Sequence, residues 1–407
     1  MLEQSSHPKD KVFKAHIPGL YEDRYGWFQE GKDALYLQAY EAFPIERLTD
    51  IRALGFLSPL AGFHDALYPI VKVEFEGFSH TRASHSFHVA RTTELILREN
   101  GASEQQIKMG IVAGLLHDIA TPAGGDAIKA LDKPSLDEED HWMDVLDERG
   151  FEFIKDQGVG LDGLDDAIHN RGLIGEVLDI ADRIAYTYAD SYHLGKYASG
   201  TIAEYLYQHV RINHDTEQVY FDSFYGLNDF LTLRAFNHFQ LYLHPENRGG
   251  DMMIRRLVAP LYGEDGSKPL TPQKLREMKN RDLFDLLGET YETFPPQLEE
   301  SLVNLHPSYQ PCEDADGIAV RTKALKKDPN IVIVGSEEIP KFNPGTDYLV
   351  QDPFTGKVLP LAEFDGSAAF VLKRYSTMQA IPYCLYYFDT SQGGTLTATL
   401  KTLLEAS

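Results

Sequence analysis

The chain has 407 residues, with 62 Asp and Glu against 38 Lys and Arg, for a formal charge of -24. That balance excludes the broad phosphate-neutralising surface of a general nucleic-acid-binding protein, although a local basic pocket for a small anion stays compatible with it. Cys312 and Cys384 are too few for a disulfide framework and lack CxxC spacing, which fits a reducing cytoplasm. No apolar signal core follows the start, MLEQSSHPKDKVFK, and no run approaches about 18 apolar residues, so neither secretion nor a membrane span is expected. The length suits two or three domains, or one large domain with an appendage.

Residues 1–43 mix aromatic and charged residues and read as an irregular or strand-containing lead-in. From Pro44, Ile45, Leu48 and Ile51 space out one side of a short amphipathic helix. A loop then feeds a helix predicted from about Ser84 to Asn100, with Ser84 as N-cap and Asn100-Gly101 as stop. Arg82, His85 and His88 recur there at i, i+3, i+6 and can share one side of the helix start. Ser103 and Gln106 form a capping box for the next helix, predicted to run to Ile119. Its sequence IVAGLLHD places His117 and Asp118 at the end of an apolar segment. An ionised carboxylate there costs on the order of several kcal/mol unless compensated, and a divalent cation is an economical compensation. The same dipeptide at His64-Asp65 and His214-Asp215 lies in polar or mixed, turn-like surroundings and does not invite that reading.

After Asp118 the Pro- and Gly-punctuated run IATPAGGDAIKALDKP can shape a pocket mouth. The acidic run LDEEDHWMDVLDERG opens another predicted helix, its charges read as a solvated face with His141 as a candidate acid. Residues 171–198 form a further helix with Ile174, Leu178, Ala181, Ala185 and Tyr188 on its apolar face. Asp182, Tyr186, Asp190 and His193 fall on another stripe, within an arc of roughly 80°. Farther on, Arg234, His238 and Tyr242 stand at i, i+4, i+8, and an arginine in such a stripe suits bidentate recognition of phosphate. Arg255 and Arg256 read as a neighbouring helix surface. From about 306 the texture turns to short β-rich runs and a C-terminal helix. The expected organisation is therefore mainly α: a lead-in over 1–43, a helical domain over 44–305 and a small α+β appendage over 306–407.

Two imidazoles and two carboxylates, His85, His117, Asp118 and Asp182, suit a divalent ion such as Zn, Mn, Fe, Ni or Mg. Their order, His, then His-Asp, then Asp, resembles the HD superfamily of metal-dependent phosphohydrolases, whose core is a helical bundle. The closer resemblance is to the branch that hydrolyses deoxynucleoside triphosphates. It rests on Asp182, Tyr186, Asp190, His193, Leu194 and Gly195 in the register D-x-x-x-Y-x-x-x-D-x-x-H-L-G. It rests also on Arg234, His238, Tyr242 and His244, with Met253-Ile254 downstream. It covers about residues 44–260.

The resemblance implies a metal held by His85, His117, Asp118 and Asp182, and phosphate contacts from Arg82, Arg183 and Arg234. It further implies that Tyr186 packs on a sugar, Asp190 accepts its 3'-hydroxyl, and His238 and Tyr242 line the substrate. His141 or Asp126 would manage protons. A small phosphate substrate, a nucleotide above all, and a homo-oligomer are implied in the same way. There are departures: the G-H-x-P-F-x-H segment usual after HD is here Ala120, Thr121, Pro122, Ala123, Gly124, Gly125 and Asp126, and Pro245 stands where a lysine is common. They keep open a nucleotide-binding regulator without efficient turnover, while a binuclear HD phosphodiesterase or oxygenase, with His88, Asp126 and His141 as its convenient extra donors, is the rival among enzymes.

Overall fold

Tyr36, Ala39 and Phe43, three and four residues apart, give the first described segment one buried face. Residues Ala34–Ala42 are accordingly a helix, α1, where an irregular lead-in was expected. The Tyr36 hydroxyl anchors it by donating to Glu94 Oε2 at 2.8 Å. The computed structural model describes residues 34–51, 81–193, 205–263, 266–290, 308–339, 348–364 and 383–389. His64-Asp65, the β-rich run 367–375, Leu194-Gly195 and the predicted C-terminal helix lie outside them.

After α2 (Ile45–Leu48) comes α3 (Arg82–Glu99). Its cap is Thr81, three residues before the expected Ser84, because the two form a reciprocal capping box. The Thr81 hydroxyl accepts from Ser84 N at 3.2 Å, and Ser84 Oγ accepts from Thr81 N at 3.3 Å. The Ser103–Gln106 box opens α4 (Glu104–Leu116) as the sequence predicts. The helix stops at Leu116, so His117 is its C-cap and Asp118 begins a turn. Short helices α5 (Gly125–Lys129) and α6 (Lys133–Leu136) follow. The acidic run forms a 3₁₀ turn, Trp142–Val145, before α7 (Glu148–Asp156). Next come α8 (Leu161–Ile168) and the long α9 (Gly172–His193), whose predicted apolar residues Ile174, Leu178, Ala181, Ala185 and Tyr188 are all buried.

A hairpin, β1 (Val210–Asn213) and β2 (Gln218–Phe221), precedes α10 (Phe224–Asn237). The stripe of Arg234, His238 and Tyr242 spans the end of α10, where the helix widens into one π turn, His238–Tyr242. Pro245, at the first turn, starts α11 (Pro245–Val258), and α12 (Pro272–Glu277) and α13 (Asn280–Thr290) complete the helical part. Beyond it lie β3 (Ser308–Cys312), α14 (Ala315–Leu325), β4 (Ile331–Glu338), β5 (Leu349–Gln351), β6 (Val358–Pro360) and β7 (Tyr383–Asp389). The chain is mainly α with a small α+β part, as expected.

That part is built into the helices. Strand β5 pairs in parallel with β2 through Phe221 and Val350, extending the hairpin to a sheet ordered β1-β2-β5-β6. Strands β3, β7 and β4 form a second sheet. One buried cluster joins Val350 and Leu361 to the residues of α3, α4 and α9. Another joins Val332, Val334 and Tyr386 to Ile128, Met253 and Leu283. Arg255 and Arg256, read as helix surface, turn inward to the carbonyls of Ala127, Ile333 and Val334. Among the described residues no helix is long and apolar enough to cross a membrane.

Candidate metal centre and its surroundings

Helices α3 and α4 touch where residue 114 has no side chain: a Cβ on Gly114 would stand 2.5 Å from Ala90 Cα. This approach brings the His85 and His117 rings to 5.3 Å between centroids and their Nε2 atoms to 3.4 Å. The Gly114 carbonyl accepts from His117 Nδ1 at 2.9 Å, so a neutral His117 carries its proton there and turns the Nε2 lone pair inward. Asp118 Oδ2 lies 3.6 Å from His85 Nε2 and 3.7 Å from His117 Nε2. Helix α9 supplies Asp182, whose Oδ1 is 2.9 Å from His85 Nε2 and 3.9 Å from His117 Nε2.

The ligand atoms of His85, His117 and Asp118 all lie within 4.8 Å of one another. Two imidazole nitrogens and a carboxylate oxygen are donors of the kind borderline divalent ions take, and Asp182 Oδ1 stands beside both imidazoles. His214, by contrast, sits in the β1–β2 turn with Nε2 2.7 Å from Asn100 O.

Around this set the charges are tightly paired. Arg82 donates from Nη1 to Asp118 Oδ2 at 2.8 Å and from Nη2 to Asp126 Oδ2 at 2.9 Å. Burial alone would raise the Asp118 carboxyl, but Arg82 and the two imidazoles hold it well below the usual carboxylate range. Burial likewise opposes, and the hydrogen bond and charge of His85 outweigh, in keeping Asp182 low. Asp190 is fully buried and pushed well above the ordinary range by burial, against the pull of Arg82.

Arg47, a residue in which sequence reasoning found nothing, is buried and donates to three carbonyls: Ile119 O at 2.8 Å, Thr121 O at 2.8 Å and Met278 O at 3.2 Å. It thereby satisfies the turn that carries Asp118.

A second wall is built on α9 from the residues on either side of Asp182. Arg183 bonds Asp179 Oδ1 from Nε and Nη2, each at 2.9 Å, and its guanidinium lies 5.6 Å from the centroid of the Tyr348 ring. Arg234 donates from Nε to the Tyr186 hydroxyl at 2.6 Å. Tyr242 packs edge-on against both Tyr186, at 6.3 Å, and His238, at 4.8 Å. Burial, then the Arg234 and Arg183 charges, depress His238 to about 3, leaving it neutral. His88, one turn from His85, is also depressed to about 3 by burial and by His85.

Of the two candidate proton carriers, Asp126 is exposed and held by Arg82. His141 has partners of its own, Asp144 Oδ2 at 2.8 Å from Nδ1 and Pro134 O at 3.1 Å from Nε2. The acidic run is not wholly a solvated face either, because Glu138 within it is buried. Burial, reinforced by Asp118 and Asp126 and opposed by Lys129, raises Glu138 to about 7. Lys129 donates to its Oε1 at 2.8 Å, while Oε2 is buried with no hydrogen-bond partner among the described residues. Leu136 and Trp142, both fully buried, flank Glu138, but their apolar character alone did not mark it as buried.

Neither a family model nor a curated protein matches the sequence. Solved structures do match. The chain is similar to a hypothetical protein from Aquifex aeolicus at 18% identity and a TM-score of 0.63, covering 93% of this chain and 97% of that one. It is similar also to a phosphohydrolase from Bacteroides thetaiotaomicron at 14% identity and a TM-score of 0.65, covering 91% of this chain and 99% of that one. At these identities what is shared is the fold, over nearly the whole length of each chain.

Proposed function

We propose that the chain is a metal-dependent phosphohydrolase of the HD type acting on a nucleotide, most plainly a (deoxy)nucleoside triphosphate. One observation carries the proposal: the donor atoms of His85, His117 and Asp118, drawn from two separate stretches of chain, lie within 4.8 Å of one another, and Asp182 from a third stretch stands beside both imidazoles. The shared fold with a protein described as a phosphohydrolase supports it.

A divalent ion bound by these four residues would polarise a phosphoryl oxygen and lower the pKa of a bound water. The chain's own residues do the rest. Arg82 fixes the Asp118 carboxylate and faces the metal centre, while Arg183 and Arg234, on the adjoining wall, offset phosphate charge. Tyr186 and Tyr242 present edges and faces on which a sugar or base can pack. Glu138 Oε2, raised to about 7, can hold or release a proton at neutral pH beside the Arg82–Asp126 pair, and Asp126 can relay it to solvent.

The test is incubation of the full chain with Mn²⁺ and a panel of dNTPs, NTPs and monophosphates, followed by chromatography. Triphosphate release from a dNTP is the expected result, and no product from any of the panel would overturn the proposal. A reading as a nucleotide-binding regulator is favoured by one observation: residues 120–125 after the His-Asp pair are buried and carry no titratable side chain. Binding without turnover in the same panel would select it.

A further inference from the structure

Two hydroxyl groups in the arginine wall are buried and have no hydrogen-bond partner among the described residues: those of Tyr242 and Tyr348. A buried hydroxyl left unpaired forfeits its hydration with nothing in return, so two of them in one wall call for a ligand. Tyr348 comes from the C-terminal α+β part, in which the sequence shows no chemistry. It precedes β5, its carbonyl accepts from Leu361 N at 2.8 Å, and its ring packs edge-on against Phe221 at 5.6 Å. Backbone and ring are thus both fixed on the β1-β2-β5-β6 sheet. The Arg183 guanidinium lies against the ring, and the phenol is within electrostatic reach of Arg183, Asp179, Arg234 and Tyr186.

A phenol in that place has one proton to give and two cations beside it. Its oxygen is favoured toward the guanidinium groups and its O–H toward an acceptor, and an acceptor welcome among arginines is an anion. Arg183 is held in place for one, since Asp179 takes Nε and Nη2 through a single oxygen while the guanidinium carbon lies 5.6 Å from the centroid of the Tyr348 ring.

We infer that Tyr348 is a substrate-binding residue whose hydroxyl donates a hydrogen bond to an anionic phosphoryl oxygen shared with Arg183. The C-terminal part thereby completes a site otherwise built from the helices. The inference rests on the phosphohydrolase reading and adds to it a residue outside the region that resembles the HD proteins.

Tyr348→Phe separates the hydroxyl from the ring, because the variant keeps the packing against Phe221 and Arg183. The probe is inorganic phosphate, measured by equilibrium dialysis against the full chain at fixed ionic strength, with manganese content assayed on the same samples. The expected result is about ten-fold weaker phosphate binding in the variant with unchanged manganese content. Equal phosphate binding by both proteins would overturn the inference and leave the phosphohydrolase reading standing. Failure of the unaltered chain to bind phosphate would overturn both. Joint loss of manganese and phosphate in the variant would make Tyr348 a structural residue and overturn the inference alone.

Discussion

The Nε2 atoms of His85 and His117 face each other at 3.4 Å. Since His117 gives its Nδ1 proton to Gly114 O, its Nε2 is a lone pair in the neutral ring, and two such lone pairs at this distance repel. A proton on His85 Nε2, directed at Asp182 Oδ1, relieves that repulsion, and so does a cation among all four groups. The metal would therefore take the place of that proton at His85 Nε2. Asp118→Ala and His117→Ala should each lose the metal and the hydrolytic activity together. Full activity in either variant would remove the metal centre from the mechanism.

Arg47→Met tests the support of the His-Asp turn. The variant keeps the length of the side chain but leaves the carbonyls of Ile119, Thr121 and Met278 without their donor. Hydrogen bonds from a charged group are worth about 1.5–3 kcal/mol each, and a loss of roughly 2–4 kcal/mol in urea-induced unfolding is expected. Outer-shell losses typically cost ~10–100-fold in metal affinity, and a drop in that range should accompany it. Unchanged metal affinity in a destabilised variant would confine Arg47 to a packing role.

What the sequence could and could not reveal follows from the range over which each interaction acts. The capping box at Ser103, the apolar face of α9 and the His85-His117-Asp118 cluster are local patterns or an ordered motif, and they are legible. The Thr81 cap was displaced by three residues because Thr and Ser at 81 and 84 are equivalent in composition, and only the reciprocal bonds choose between them. Arg47, Glu138 and Tyr348 act through partners 72, 9 and more than a hundred residues away, and no periodicity encodes such pairings. Charge was the poorest guide, because Arg47 and Glu138 both belong to residue types that are mostly exposed, yet both are buried here.

Gly114→Ala tests the close approach of α3 and α4. The added methyl would meet the Ala90 backbone, at 2.5 Å from Cα and 2.8 Å from N, where no side chain can rotate away. The helices must part, at a cost of about 1–3 kcal/mol, and His85 and His117 part with them. Gly250→Ala is the comparison, since nothing lies within 4 Å of a Cβ there and the residue is inside α11. That change should stabilise by roughly 0.5–1 kcal/mol. Thermal unfolding of both variants checks the pair, and equal behaviour would contradict the packing argument.

Glu138 predicts a pH dependence of stability with a definite sign. Its carboxyl is raised from the ordinary 4.5 to about 7, so between those values the native chain holds a proton that the unfolded chain has released. Stability from this group is full below pH 4.5 and is lost as pH rises through 7. Asp118 and Asp182, held low, act in the opposite sense and at lower pH, where they lose their contribution as they are protonated. His88 and His238, both depressed to about 3, add stability as pH rises from 3 toward 6.5, which overlaps the Glu138 window. The difference between the unaltered chain and Glu138→Gln isolates the one group. Across roughly pH 5 to 7 the stability of the unaltered chain should fall relative to the variant, by on the order of 1.4 kcal/mol for each step of one in pH. A flat difference across that range in urea unfolding would show that Glu138 is ionised throughout, and would withdraw it as the proton carrier of the site.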